Sequence, residues 1–244
     1  MRRLGLHLRT SLWEMTPRDH RQTDREFRRR QVVSVVVILV GAVVLGFSLN
    51  IDPSNPRLFL ACTAGLAVVW ALGAFLSGPL HLGRIGRPEE PDLAAPRPVV
   101  QPLLIGLALV ALFVAGAYLI RVVPVLDTNL TPFIAGVLEH TNRGSAPILL
   151  AVTVVNGIAE ELFFRGALYA AIPSHQVMVT TIAYTAATLA TGNVMLGFAA
   201  VLLGLVVGLQ RRATGGILAP IITHLVWSVS MLYLLPAIFL GSVG

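Results

Sequence analysis

Long apolar runs separated by short polar segments are the dominant pattern of this chain. The first covers Val32 to Leu49 and follows directly on a polar, arginine-rich stretch. It is too long for a signal-peptide core, and no small-residue cleavage site follows, so it reads as an uncleaved first span. Further runs cover Leu58 to Ser77, Pro102 to Ile120, Pro147 to Ile172, Gln176 to Ala190, Asn193 to Gln210 and Ile217 to Ser242. Each approaches the ~20 residues that a helix needs to cross a ~30 Å hydrocarbon layer. The pattern therefore predicts an all-α transmembrane bundle of seven spans, or eight if Pro236 breaks the last run. Residues 78–101 carry His81, Arg84, Arg87, Glu89, Glu90, Asp92, Arg97 and five prolines, which neither continue a helix nor bury a core. They read as a loop. Residues 121–146 form a second loop on the opposite side, with room for a short interfacial helix from Thr131 to Thr141. Three regions follow: a basic segment, 1–31; three N-terminal spans, 32–120; and a polytopic core, 145–242. No internal repeat or low-complexity tract is present.

Composition agrees with the pattern. Hydrophobic residues make up 55% of the 244 residues and charged residues 12%, with a mean hydropathy of +0.78. A soluble globular domain of this length does not show that balance. The formal charge of +6 is local: all eighteen basic residues are arginine, and nine of them precede residue 31. This block abuts a span and has few interleaved aromatics, so it reads as a membrane-surface anchor facing membrane lipids, not a nucleic-acid face. Its charge puts the N-terminus in the cytoplasm, and the Arg84/Arg87/Arg97 loop and the Arg211-Arg212 turn fall on that same side. Arginine used to the exclusion of lysine hints at a GC-rich genome and a bacterial plasma membrane. The lone Cys62 forms no internal disulfide.

Chemistry concentrates in Asn156-Gly-Ile-Ala-Glu160-Glu161-Leu-Phe-Phe-Arg165-Gly. Of twelve acidic residues only Glu160 and Glu161 fall inside an apolar run, and of six histidines only His224 does. An ionised group in a bilayer costs several kcal/mol unless paired or wet, so these residues are functional candidates. Glu161 and Arg165 are four apart on one helix face and can pair. Such a pair is as readily a structural clamp as a participant in chemistry. Glu160 has Asn156 on its face and no cation on its own helix, which leaves it free to act as a general base on water. Phe163 and Phe164 face lipid or core. His224 lies about eight residues into its run, a depth of roughly 12 Å at 1.5 Å per residue, similar to that of the glutamates. Alone it is as readily an interhelical hydrogen-bonder as a ligand. Tyr184 and Thr188, with Thr181 and Thr185, form a hydroxyl stripe able to line a cavity.

The segment Glu160-Glu161-Leu-Phe-Phe-Arg165 resembles the Glu-Glu-x-x-x-Arg motif of the intramembrane CAAX-protease and bacteriocin-processing family, relatives of the type II prenyl endopeptidase. Residues Gly204 to His224, with their arginine pair, glycines, Ala219-Pro220 and histidine, are similar to the family's last block. The resemblance covers about residues 145 to 232. It implies a helical cavity open to the cytoplasmic side, where a glutamate activates water to hydrolyse a protein or peptide substrate. Carried over, Glu160 is the base, Glu161 its partner, Arg165 the clamp, and His224 a ligand or oxyanion donor. Zinc is the metal the resemblance allows, with Glu161 and His224 as its ligands; direct glutamate catalysis is the other account. Tyr184-Thr-Ala-Ala-Thr188 stands where the family has Phe-x-x-x-His, and Ser228 stands where it has Asn or Asp. These departures keep a catalytically silent relative open, acting as a scaffold for a membrane partner. A small transporter or proton relay is the remaining class.

Overall fold

The computed structural model describes residue 12 and residues 22–52, 54–85, 96–142 and 145–240. Arg2, Arg3, Arg9, Arg18 and Arg21 of the basic segment, and Arg87, Glu89, Glu90 and Asp92 of the following loop, lie outside the described residues. The described elements are all helical: α1 (Asp24–Leu49), α2 (Pro56–Ser77), α3 (Val100–Val122), α4 (Pro124–Asn142), α5 (Ala146–Ala171), α6 (Gln176–Leu189), α7 (Val194–Thr214) and α8 (Leu218–Phe239).

Local chemistry sets these boundaries. Thr23 and Glu26 form a reciprocal capping box at the start of α1. Asn55 caps α2, whose first residue is proline, and Asn193 accepts from two backbone N–H groups at the start of α7. Gly215, at φ 71°, ends α7 in the left-handed region where glycine has no Cβ to clash.

Six of these helices (α1, α2, α3, α5, α7 and α8) are long and apolar enough to cross a membrane. The fifth apolar run forms a helix of only 14 residues, because Pro173-Ser-His175 and Thr191-Gly-Asn193 bound it closely, and it is not among the six. The eight-span alternative fails at Pro236, which lies inside a continuous α8. Its missing N–H falls near the end of the helix, where few intrahelical bonds remain to be lost. The sixth run also differs from its expected end. Arg211 and Arg212 lie within the last turn of α7 and do not form a turn.

Side-chain links show how the helices run. One end of the bundle gathers the starts of α1, α3 and α8 with the ends of α2, α5 and α7. Gln31 donates to Ala171 O (3.2 Å), Arg29 to Leu76 O (2.6 Å), and Thr223 to Pro102 O (2.8 Å). At the opposite end, a Cβ added to Gly46 would lie 2.8 Å from the Ala190 carbonyl oxygen, and Asn193 donates to Phe133 O at 2.7 Å. There α4 packs Ile134 and Leu138 against Ile120, Met195, Leu235 and Phe239. It starts seven residues earlier than the interfacial helix read from the sequence, at a proline suited to a first turn. Residues 79–85 are docked on the turn between α7 and α8. Arg84 N–H donates to Thr214 O (2.8 Å), and the Ile217 and Leu218 N–H groups donate to His81 O and Leu82 O. The main core joins α1, α2, α5 and α6. Trp70 stacks on Phe163 (centroids 4.9 Å apart), and Phe164 meets Tyr184 edge-on.

Candidate active site

Helix α5 changes pitch where the charged residues lie. From Leu162 to Leu168 it is π-helical, and the Tyr169 N–H bonds the Phe164 carbonyl five residues back. A widened turn of this kind is frequent at functional sites because it re-aims side chains within an otherwise regular helix. Phe163, Phe164 and Arg165 all become buried, which settles the two phenylalanines as core and not lipid-facing.

Glu161 and Arg165 are both fully buried, with Arg165 Nη1 donating to Glu161 Oε1 at 3.0 Å. The same oxygen lies 2.7 Å from His224 Nδ1. A carboxylate can only accept here, so Nδ1 carries the proton of that bond and Nε2 is the nitrogen turned away. Nε2 faces Glu160 Oε2 at 4.0 Å, too far for a direct hydrogen bond. Glu160 retains 20% side-chain exposure, against 0% for Glu161. Its Oε2 accepts from the Tyr184 hydroxyl at 2.8 Å. The two adjacent carboxylates thus have different surroundings: one is locked by two cationic or proton-bearing partners, the other is held by a single phenol and left partly open.

Small residues allow this convergence. A Cβ at Gly157 would lie 3.1 Å from Leu225 and 3.7 Å from the His224 ring, so α5 and α8 meet there with little room to spare. At Gly204 an added Cβ would lie 3.3 Å from Arg165 Nη2, which donates to the Gly204 carbonyl at 3.4 Å.

Of the residues expected at the site, Glu160, Glu161, Arg165, Tyr184 and His224 come together. Others expected to line the cavity do not join them by a hydrogen bond. Thr188 Oγ1 donates to Tyr184 O and Thr181 Oγ1 to Val177 O, each within its own helix. Such back-bonding is how threonine satisfies its hydroxyl in an apolar helix. Asn156 Nδ2 donates to Val152 O in the same way, while its Oδ1 and the hydroxyls of Ser228 and Thr185 are buried without a hydrogen-bond partner.

Arg211 was missed as a site-supporting residue because its charge reads as the end of a span. It is 4% exposed, donates Nε to the Arg165 carbonyl at 2.6 Å, and lies over the Tyr169 ring at 4.9 Å. The hint in the sequence was its place in the arginine pair of the block from Gly204 to His224. A second missed link, Gln210 to Thr223 to Pro102 O, ties α7, α8 and α3 together just below His224.

A catalytic zinc needs about three protein donors at roughly 2.0–2.2 Å from one point. Glu161 Oε1 is taken up by Arg165 and by Nδ1, on the far side of the imidazole from Nε2. Its Oε2 is buried without a partner, but among the described residues no three His, Cys, Asp or Glu side chains are grouped to hold an ion. The donors present do not fit the zinc that Glu161 and His224 were expected to bind.

The arrangement defines an intramembrane site built on a glutamate pair, an arginine and a histidine. Residues 142–230 match the family model described as Type II CAAX prenyl endopeptidase Rce1-like, the family that the two sequence blocks resemble. Neither the curated proteins nor the solved structures contain a match to the chain.

Proposed function

We propose that this chain is an intramembrane endopeptidase of the CAAX-protease type. It would hydrolyse peptide bonds near the cytoplasmic membrane face with water activated by Glu160. The observation carrying this reading is the inequality of the glutamates. Glu161 is consumed by Arg165 and His224, whereas Glu160 is partly exposed and 4.0 Å from His224 Nε2. Glu160 takes a proton from water, and the resulting hydroxide attacks the carbonyl carbon. His224, when protonated, donates from both nitrogens, to Glu161 and to the developing oxyanion. Collapse of the tetrahedral intermediate breaks the C–N bond, and Glu160 returns its proton to the leaving nitrogen. The products are a carboxyl end and an amine end. No step needs a metal.

Topology belongs to the same proposal. Seven helices would cross a bacterial plasma membrane, with α6 as a short crossing, the N-terminus cytoplasmic and α4 outside. The substrate would be a membrane-associated protein or peptide. The family description names a prenyl endopeptidase, so a prenylated chain is the first class to try.

The test compares protein termini in membranes from cells carrying wild-type chain or Glu160→Gln at equal abundance. New termini restricted to wild type are the expected result. Identical termini would overturn the proteolytic reading and favour the silent scaffold. The bonding of Thr188 to its own helix, at the position of the family's second-motif histidine, is the observation on that side.

A further inference from the structure

We infer that Tyr184 is the positioning residue for Glu160, and that its phenol orients the carboxylate in a chain whose second-motif histidine is replaced by Thr188. The inference rests on the reading of Glu160 as the base.

Three observations carry it. The Tyr184 hydroxyl donates to Glu160 Oε2 at 2.8 Å across two helices, 24 residues apart in sequence. The ring is held between aromatic and cationic neighbours. Phe164 meets it with centroids 4.9 Å apart, and the Arg165 guanidinium lies 4.7 Å from its centroid. Both neighbours lie in the π-helical stretch of α5, so the segment that carries the clamp also aims the phenol. The bonded oxygen is the one that faces His224 Nε2.

A carboxylate has two oxygens and one rotatable bond to its stem. Fixing Oε2 by a donor turns Oε1 to a defined direction, the one left to take a proton from water. Thr188, four residues on, cannot do this because its hydroxyl donates to the Tyr184 carbonyl. A phenylalanine at position 184, as in the family motif, would have no donor at all. The hydroxyl therefore has a use at this position that packing alone does not explain.

The test uses full-length chain in detergent or vesicles and the variant Tyr184→Phe, which keeps the ring. Two readouts are taken. The first is hydrolysis of a fluorogenic prenylated CAAX peptide, resolved into kcat and KM. The second is modification of Glu160 by dicyclohexylcarbodiimide, measured by mass spectrometry. The expected result is a fall in kcat of about 30-fold with KM unchanged, as for loss of a hydrogen bond to a charged group. Glu160 modification should rise several-fold as its carboxyl group is released. A kcat within twofold of wild type, or a loss carried wholly by KM, overturns the positioning role while Glu160→Gln still tests the base separately. If Glu160→Gln cleaves like wild type, the proteolytic reading fails instead, and if wild type leaves the peptide intact, the prenylated substrate class fails. The labelling then decides alone, and unchanged modification in Tyr184→Phe overturns the contact.

Discussion

Arg165 is the residue on which the site's stability most depends. It is fully buried beside Glu161, donates to it and to the Gly204 carbonyl, and its own carbonyl accepts from Arg211. Removing one member of a buried charge pair typically costs about 3–5 kcal/mol, because the partner's charge remains uncompensated. That is a large share of the ~5–15 kcal/mol by which a folded protein is stable. Arg165→Ala should therefore deplete folded chain severely, seen as loss of the monodisperse peak in detergent size-exclusion chromatography. A normal peak would show that His224 alone compensates Glu161. This contact was legible in the sequence because an i,i+4 pair is a local fact of helical periodicity. The bond from Tyr184 to Glu160 was not legible, although both residues were singled out, because it depends on how α5 and α6 cross. Arg211 was hidden for a related reason. A charge next to a span end ordinarily faces water, whereas here the Arg165 carbonyl and the Tyr169 ring receive the guanidinium inside the bundle.

Helix contacts in this bundle depend on small residues more than on apolar area, since lipid competes equally for apolar surface. At Gly41 an added Cβ would overlap the indole of Trp70, and at Gly73 it would lie 2.5 Å from Val37. Helices α1 and α2 therefore interlock through two glycines, each facing a large side chain of the other. Trp70 in turn stacks on Phe163 and lies 5.1 Å from Phe164, immediately before Arg165. Overpacking such a contact typically costs about 1–3 kcal/mol. Gly41→Ala should lower the midpoint of thermal unfolding in detergent by several degrees, and Gly41→Leu should abolish the folded peak. Equal midpoints for wild type and Gly41→Ala would show that Trp70 moves aside freely. The long apolar helices were predictable from run length alone. The π-helical stretch was not, because Leu-Phe-Phe-Arg-Gly-Ala-Leu carries no proline to mark a change of pitch, and Phe163, Phe164 and Arg165 are all packed inward there. The docking of residues 79–85 was equally invisible: those residues read as loop, and their backbone partners lie on the turn after α7.

Across the whole molecule, arginines sort by end. Arg29, Arg30, Arg84, Arg97 and Arg211 lie at the end where α1 begins, whereas Arg57 and Arg121 lie at the other. The positive-inside rule would make the first end cytoplasmic, as the proposed topology has it. Helix α6 is the element that decides the topology. Fourteen residues rise roughly 21 Å, short of a ~30 Å hydrocarbon layer. Yet its start bonds to residues at one end of the bundle and its last turn meets Gly46 near the other. A short helix in that place requires the bilayer to thin or water to enter beside it, and α6 is the helix that carries Tyr184 to the partly exposed Glu160. If α6 crosses, the site and the shortest crossing coincide, which would bring water to Glu160. The check is single-cysteine labelling of intact cells in a Cys62→Ser background, with cysteines placed at Ser174 and at Gly192. A membrane-impermeant maleimide should label position 192 and spare position 174, and a phosphatase fused after Gly244 should be active outside. If both cysteines are spared and the fusion is inactive, α6 does not cross, six crossings remain, and the C-terminus lies on the same side as the N-terminus.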